Sequence, residues 1–307
     1  MVPHLTLHQP QTGLRRIGLL AGWGRFPLVV AQALVEQGFE VYCLGIKDHA
    51  DPALAEVCHH FQWNGLAKLG RAVSYFRRHG VRRVAMGGKI HKISLLHISS
   101  LFVHLPDWAA VRRFWPHFIS LKKDRRDDTL TMAVVEEFAS HGIEVVEPTD
   151  LVPEVLVKYG QLTARGPSRA HRRDIEFGWA MAKEIGRLDI GQSVAVKDLA
   201  PLAVEAIEGT DECIRRAGHL CPGGGFTVVK VAKPQQDMRM DVPTIGLGTL
   251  QAMVESGARV LAVEADRTIV LDEPEVVRYA NHHRLTIVAV EDGQCPEQLS
   301  PRIAAAG

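Results

Sequence analysis

Short apolar runs alternate with helical patterns along the first half of the chain. The apolar runs have the composition of buried strands and occupy residues 17–21, 40–46, 81–86 and 143–146. The helical patterns lie at residues 28–37, 66–79 and 129–140. Alternating strands and helices predict a parallel sheet, whose carboxyl edge is the usual ligand side. The pattern therefore favours a Rossmann-like amino-terminal domain.

The second half shows a looser mixture of the same two elements. Strands are predicted at residues 194–196, 202–208, 228–231 and 260–263, with a hairpin-like pair around residues 268–271. Helices are predicted at residues 174–186 and 249–256 and from near Pro274, and residues 158–173 are predicted to form a polar, basic loop. These elements indicate a second domain of α/β or α+β class.

The chain of 307 residues is long enough for two domains, since one domain usually has about 100–200 residues. Pro148 and Pro153 mark the junction. We expect a disordered leader at residues 1–14, a Rossmann-like domain at 15–150, a carboxy-terminal catalytic domain at 151–293 and a tail at 294–307. A ligand cleft is expected between the two domains.

Composition narrows the class of partner and the compartment. A formal net charge of +1 gives no field that would favour nucleic acid. The five cysteines lack a C-x-x-C spacing, which indicates a reducing compartment rather than a disulfide frame or a structural zinc site. No segment has the pattern of a signal peptide or of a spanning helix. We therefore expect a cytoplasmic protein with no nucleic-acid partner.

A glycine turn follows the first predicted strand and opens the first helix. Backbone N–H groups at a helix start can approach an anion, so this turn is a candidate phosphate or sugar site. Its candidate contacts are Gly22, Gly24 and Arg25. Gly88 and Lys89 follow the third predicted strand and are expected at the same sheet edge. Pro27 replaces the third glycine of a dinucleotide fingerprint, which counts against a nicotinamide-dependent oxidoreductase.

The stretch 228–246 carries a concentrated group of charges directly behind a β-branched run. Pro234 prevents the strand from continuing, so the charges are expected on a loop at its end. The candidate phosphate ligands are Lys230, Lys233 and Arg239. Asp237 and Asp241 are hard oxygen donors that suit a divalent cation. A solvated, charged turn remains the structural alternative.

Two further segments carry candidate chemistry. Carboxylates lie near the end of the predicted strand 202–208, where an exposed strand face and a metal loop both fit the pattern. Together with Asp241, we take Asp211 and Glu208 as candidate ligands of a divalent cation or as a base for water. Residues 93–121 are rich in large apolar side chains. They predict a helical core layer or, alternatively, an apolar groove or a membrane-surface contact.

Several runs together indicate a family. They are residues 186–192, 203–211 and 230–246, with the turn 22–27 and the run 127–130. On these runs the chain resembles the LpxI family of UDP-2,3-diacylglucosamine pyrophosphatases over about residues 15–293. The resemblance implies a cytoplasmic enzyme of lipid A biosynthesis, peripheral to the inner membrane, that uses Mg²⁺ to hydrolyse the pyrophosphate of a lipid-linked UDP-sugar. Water would attack the phosphorus nearer the sugar, giving UMP and 2,3-diacylglucosamine 1-phosphate.

The resemblance also implies roles for single residues. Asp241, in an Asp-x-Pro motif, matches the aspartate that the family needs for metal-dependent activity. The positions that match stretches lining the family's substrate cleft are Gly24, Arg25, Gly88, Lys89, Gln192, Thr210, Asp211 and Lys230.

The chain departs from the family pattern in three places. Trp23 and Arg126 stand where the family often has glycine, and residues 93–121 match it poorly. The turn's close approach to a ligand and the acyl-chain preference therefore stay open. A non-catalytic module that binds a nucleotide sugar is the alternative function, and a homodimer is one assembly that the sequence leaves open.

Overall fold

The computed structural model describes residues 15–88, 107–108, 127–239 and 242–295, with only the backbone described at 127–131. It divides the chain into two compact units at Leu151 and Val152. The leader predicted at residues 1–14 and nearly all of the apolar segment 93–121 lie outside the described residues. Of the tail predicted at 294–307, Cys295 is described, and it packs against a core cluster of the second unit.

The first unit contains a five-stranded sheet in which every pairing is parallel. Its strands are β1 (Arg15–Ala21), β2 (Phe39–Ile46), β3 (His60–Asn64), β4 (Arg83–Gly87) and β5 (Glu144–Val146). They lie in the order β3-β2-β1-β4-β5. The helices are α1 (Phe26–Glu36), α2 (Leu54–Val57), α3 (Leu69–Arg78), α4 (Asp127–Ser140) and α5 (Pro148–Leu151). The predicted parallel sheet is confirmed.

The sequence pattern missed β3 and α2, for which it predicted a loop. The strand β3 lies at one end of the sheet, and most of its residues keep some exposure. An edge strand of this kind lacks the continuous apolar run that marks the buried strands β1 and β2.

The second unit is built on a six-stranded mixed sheet in the order β6-β13-β11-β9-β7-β8. Its strands are β6 (Gly160–Gln161), β7 (Ser193–Lys197), β8 (Ala200–Val204), β9 (Thr227–Lys230), β11 (Val260–Glu264) and β13 (Thr286–Val290). A separate pair joins β10 (Thr244–Ile245) to β12 (Ile269–Val270) in parallel. The hairpin expected around residues 268–271 is therefore wrong, because β12 pairs with a distant strand.

Helices cover both faces of the six-stranded sheet. They are α6 (Arg169–Arg187), α7 (Thr210–Leu220), α8 (Leu247–Ser256) and α9 (Glu273–His282), and a 3-10 turn forms Pro153–Val155. Alternate residues of the strands point into two core clusters, one shared with α6 and the other with α7, α8 and α9. The unit is thus a three-layer α/β structure. None of the described helices is long and apolar enough to cross a bilayer.

The start of helix α6 differs from the sequence prediction for a physical reason. Helix α6 begins at Arg169 rather than at Asp174, because the Ser168 side chain accepts from the His171 N–H and caps the helix. Asp174 instead accepts the N–H groups of Asp198 and Leu199, in the turn between β7 and β8. Its carboxylate therefore fastens the helix to a hairpin rather than marking a helix start.

Candidate functional site

In the first unit, the predicted glycine positions meet at the carboxyl edge of the sheet. The last residues of β1 and β4, Ala21 and Gly87, are register partners, and the Gly22 N–H donates to the Gly87 carbonyl at 2.8 Å. Gly88 has φ +90, and a Cβ there would lie 2.7 Å from the Gly22 carbonyl carbon and 2.8 Å from the Trp23 oxygen. The two strand ends are therefore in direct backbone contact, which only glycine at position 88 permits.

The same edge holds the start of helix α1. Arg25 is exposed and stands at the N-cap position, with its carbonyl accepting from Leu28 and Val29. Gly24 has φ +105, a backbone conformation that favours glycine. The positive end of the α1 dipole faces this turn, which suits an anion. Lys89 lies outside the described residues.

In the second unit, the register brings four strand ends to one edge. Ser193, which begins β7, is the partner of Lys230, which ends β9, and Lys230 is also the partner of Val263 near the end of β11. The end of β8 returns to the same edge, where Val204 pairs with Val194. This edge, with the loops that leave it, is called the Lys230 edge below.

The segment between β8 and α7 lies on the Lys230 edge. Glu205 is 7% exposed, and the Thr210 hydroxyl donates to its carboxylate oxygens at 3.2 and 3.3 Å. The Ser193 and Thr210 hydroxyls lie 3.2 Å apart. Gly191 permits this packing, because a Cβ there would lie 2.1 Å from the Glu205 carbonyl oxygen. The prediction that residues 202–208 form a strand is wrong after Val204, where the chain turns into the unpredicted helix α7.

The two described candidate metal ligands have different surroundings. Asp211 lies in the first turn of α7 and accepts from the Thr249 hydroxyl at 3.0 Å. Glu208 accepts from Arg216 and from the Ala206 N–H, so its carboxylate is partly engaged in an ion pair. Asp241, the third candidate, lies outside the described residues. Within the described ranges, no three His, Cys, Asp or Glu side chains form a cluster that could hold a metal.

The candidate cations and Gln192 are all placed by β9, its loop and the start of β7. Lys230 is 6% exposed and donates to the Thr244 carbonyl at 2.9 Å. Lys233 pairs with Asp189 at 2.5 Å. The Gln192 carbonyl accepts from the Val231 N–H at 3.0 Å. The Gln192 side-chain Oε1 is buried, and no residue in the described part of the chain forms a hydrogen bond with it.

The Arg239 guanidinium donates to Asp237 from Nε at 2.9 Å and from Nη2 at 2.6 Å, and the Arg239 backbone N–H donates to the same carboxylate at 3.1 Å. The hydrogen bonds from this guanidinium hold the pKa of the Asp237 carboxyl below its usual range. Asp237 thus forms an ion pair with Arg239, whereas the sequence suggested it as a ligand of a divalent cation.

Sequence reasoning missed an ion pair beside these residues. Lys183, on helix α6, reaches both carboxylate oxygens of Glu264 at 2.7 Å, and Glu264 ends strand β11. The two residues are 81 positions apart in sequence, so only the packing of α6 against β9 and β11 could have indicated that they are neighbours. A carboxylate directly after an apolar run of parallel strand is the one local signal that points to Glu264.

Asp107 and Trp108 are the described part of the segment 93–121, and Trp108 is the large apolar side chain of the two. Trp108 is 79% exposed and lines an open concavity of about 260 Å³ on the first unit. The other lining residues come from helices α3 and α4 and the residue after α4: Gly70, Val73, Ser74, Arg77, Glu137 and His141.

Together, the fold and the two edges are typical of the class of α/β proteins that bind a phosphorylated ligand. Both units are α/β structures, and each gathers glycine, hydroxyl or lysine groups where strands end, the usual place for ligands in such sheets. Lysines beside carboxylates and a helix start suit a phosphorylated ligand.

Comparison with known proteins identifies the family within that class. The model of the LpxI N-terminal domain matches residues 16–155, and the model of the LpxI C-terminal domain matches residues 158–288. The chain is 29% identical over 295 residues to "UDP-2,3-diacylglucosamine pyrophosphatase LpxI" of Caulobacter vibrioides, covering 92% of this chain and 100% of the relative. The chain belongs to the LpxI family, and it is an enzyme of the hydrolase class.

Proposed function

We propose that this chain hydrolyses the pyrophosphate bond of UDP-2,3-diacylglucosamine in lipid A biosynthesis, releasing UMP and 2,3-diacylglucosamine 1-phosphate. The observation that carries the proposal is the coverage of nearly the whole chain by the two LpxI domain models. The Lys230 edge supports it, because residue types that a pyrophosphate requires lie together there.

Cationic side chains have a defined task in this reaction. A pyrophosphate carries two negative charges, which repel an attacking water oxygen unless cations neutralise them. In our proposal Lys230, Lys233 and Arg239 bind the phosphate oxygens. Lys230 is the best oriented of the three, because its buried stem and its hydrogen bond to the Thr244 carbonyl fix the ammonium at the strand end.

Hydroxyl and amide groups would orient the substrate. The Thr210 hydroxyl lies between Ser193 and the Glu205 carboxylate, so its own orientation is fixed before a ligand arrives. Gln192 adjoins β7 at the same edge and presents an amide whose Oε1 has no hydrogen-bond partner among the described residues. In the first unit, Gly22, Gly24, Arg25 and Gly88, with Lys89, form the second proposed set of substrate contacts.

The donor types fit Mg²⁺, which prefers oxygen ligands. Asp211 and Glu208 would hold the ion with Asp241, although the ion pair between Glu208 and Arg216 makes Glu208 the weaker of these ligands. When bound, the ion would polarise a phosphoryl oxygen and lower the pKa of a coordinated water. The side chains of the protein would carry out the other tasks. They would bind the phosphates, orient the sugar side of the substrate and accept the proton of water at a carboxylate.

Two finer features belong to the same proposal. The strand order β3-β2-β1-β4-β5 supports a Rossmann-like arrangement in the first unit. A diacylated substrate resides in a lipid surface, so we propose that the enzyme works peripherally at the cytoplasmic face of the inner membrane.

The test is direct hydrolysis. Purified protein is incubated with UDP-2,3-diacylglucosamine in detergent micelles, with Mg²⁺ or with a chelator, and released UMP is measured. We expect release that needs Mg²⁺ and is lost in Asp241→Asn. The matched control is Asp266→Asn, an exposed residue paired with Lys158, which should keep full activity. Tight binding of the substrate without UMP release would favour the non-catalytic binding module instead.

A further inference from the structure

The loop that leaves strand β9 is held in place along four consecutive residues, 232–235. A Cβ on Gly186 would lie 3.2 Å from the Lys233 Cα and 3.3 Å from the Pro234 Cδ, so helix α6 and the loop are in close backbone contact. The Gln235 side chain donates to the carbonyls of Gly186 and Arg187 at 3.0 and 3.3 Å. These contacts fasten the middle of the loop to the end of helix α6.

The start of the loop is held by the ion pair between Lys183 and Glu264. The Ala232 N–H donates to Glu264 Oε2 at 2.7 Å, and the Ala232 carbonyl accepts from Lys183 Nζ at 3.0 Å. Lys183 also contacts both Glu264 oxygens at 2.7 Å, with side-chain exposures of 26% and 12%. The pair therefore binds both peptide groups of one residue at once.

The polarity of the pair matches the peptide groups of Ala232. Glu264 accepts from the Ala232 N–H, and Lys183 donates to the Ala232 carbonyl. Exchanging the two side chains would keep the ion pair, but it would place a donor against the N–H and an acceptor against the carbonyl. An ion pair of either orientation would neutralise both charges, but only the observed one also forms hydrogen bonds with the N–H and the carbonyl of Ala232. The orientation therefore fixes the direction of the peptide groups at Ala232, as a positioning role requires.

The held residue lies between the proposed phosphate ligands. Lys230 ends β9 two residues before Ala232, Lys233 follows at once, and the chain continues to Arg239 and on to Asp241. We propose that Lys183 and Glu264 are positioning residues for this reaction, which set the start of the loop that carries its phosphate ligands. This inference rests on the proposed function for its catalytic readout.

The first experiment reverses the pair. The double variant Lys183→Glu with Glu264→Lys is compared with wild type for kcat, KM and melting temperature. The matched control is Glu184→Arg with Arg187→Glu, an exposed ion pair on the same helix. We expect the control to keep kcat, and the reversed Lys183 pair to lower kcat about tenfold to a hundredfold, since small misplacements of reacting groups have effects of that size.

A second set of variants covers the case in which the reversed pair does not fold. Lys183→Met with Glu264→Gln keeps the side-chain volumes and an acceptor for the Ala232 N–H, but removes the donor to its carbonyl. It should show reduced kcat with a nearly unchanged melting temperature. Lys183→Arg keeps the charge and the donor, and should retain most of the wild-type kcat.

Amide hydrogen exchange gives a readout independent of activity. Peptides covering residues 231–239 should exchange faster in both double variants, while peptides covering α8 should not change. Wild-type kcat and wild-type exchange in the second double variant would overturn the proposal, as would an equal loss of kcat in the Glu184 control. If wild-type protein releases no UMP, the proposed function fails, and the exchange data alone still decide whether the pair holds the loop.

Discussion

Substituting Gly88 by alanine tests the contact between the ends of β1 and β4. Position 88 has φ +90, and its Cβ would lie 2.7 to 2.9 Å from Gly22, Trp23 and Pro27. The nearest two of these atoms are backbone, which cannot turn aside as a flexible side chain can. The substitution must therefore move the glycine turn itself.

The magnitude follows from comparison with Gly38, at the end of α1. Gly38 also has positive φ, at +79, but a Cβ there would meet no atom of the described residues within 4 Å. Alanine at either position pays the conformational cost, about 1–2 kcal/mol, of a left-handed backbone. Only Gly88→Ala adds overpacking, which costs about 1–3 kcal/mol. The free energy of unfolding of this variant should therefore fall by about 2–5 kcal/mol in total.

The assay is urea denaturation of both variants, followed by tryptophan fluorescence, with KM for the UDP-sugar measured on the folded protein. We expect Gly88→Ala to be the less stable variant and to raise KM, because the displaced turn carries Gly22 and Gly24. Gly38→Ala should leave KM unchanged. Equal stability of the two variants would refute the reasoning, since it would mean that the close backbone contact at Gly88 does not constrain the turn.

Three further predictions concern single side chains. Lys230→Met should lower kcat/KM about a hundredfold, because it removes a preorganised charged donor, and Lys230→Arg should recover part of the activity. Full activity of the Met variant in steady-state kinetics would contradict this prediction. Arg239→Ala should raise the pKa of Asp237 towards its ordinary value, seen by NMR titration. Because a lowered carboxyl pKa stabilises the fold above the unfolded-state pKa, the stability gap between wild type and this variant should shrink below about pH 4. Asp174→Ala should cost about 3 kcal/mol in urea denaturation, because two N–H groups lose a charged acceptor, and Asp174→Asn should cost less.

Local sequence patterns predicted the elements that contain an apolar run or a regular helical repeat. The strands β1, β2, β4, β9 and β11 and the helices α1 and α8 lie close to where apolar runs and glycine stops placed them. The sequence pattern gave a wrong helix boundary where one residue type can serve two structural roles. Asp174 suggested a helix start because acidic residues favour that position, but its carboxylate binds the hairpin turn at Asp198 and Leu199.

The assembly of the candidate site depended on strand register, which the sequence pattern does not contain. Gln192, Thr210 and Lys230 are separated by long stretches of chain, and they share an edge because β7 runs antiparallel to β9 and β8 turns back beside β7. The pair of Lys183 with Glu264 could not be predicted either, because it depends on how helix α6 packs against the sheet. By contrast, Gly22 and Gly88 were predicted to share an edge, because alternating strands and helices already imply a parallel sheet.

The most direct test of the account follows the oxygen of water into the products. UDP-2,3-diacylglucosamine is hydrolysed in water labelled with heavy oxygen, and UMP and the sugar phosphate are analysed by mass spectrometry. The account predicts Mg²⁺-dependent release of UMP, with the label in 2,3-diacylglucosamine 1-phosphate. Label in UMP would contradict attack at the phosphorus nearer the sugar, and the absence of any UMP would contradict the proposed hydrolysis itself.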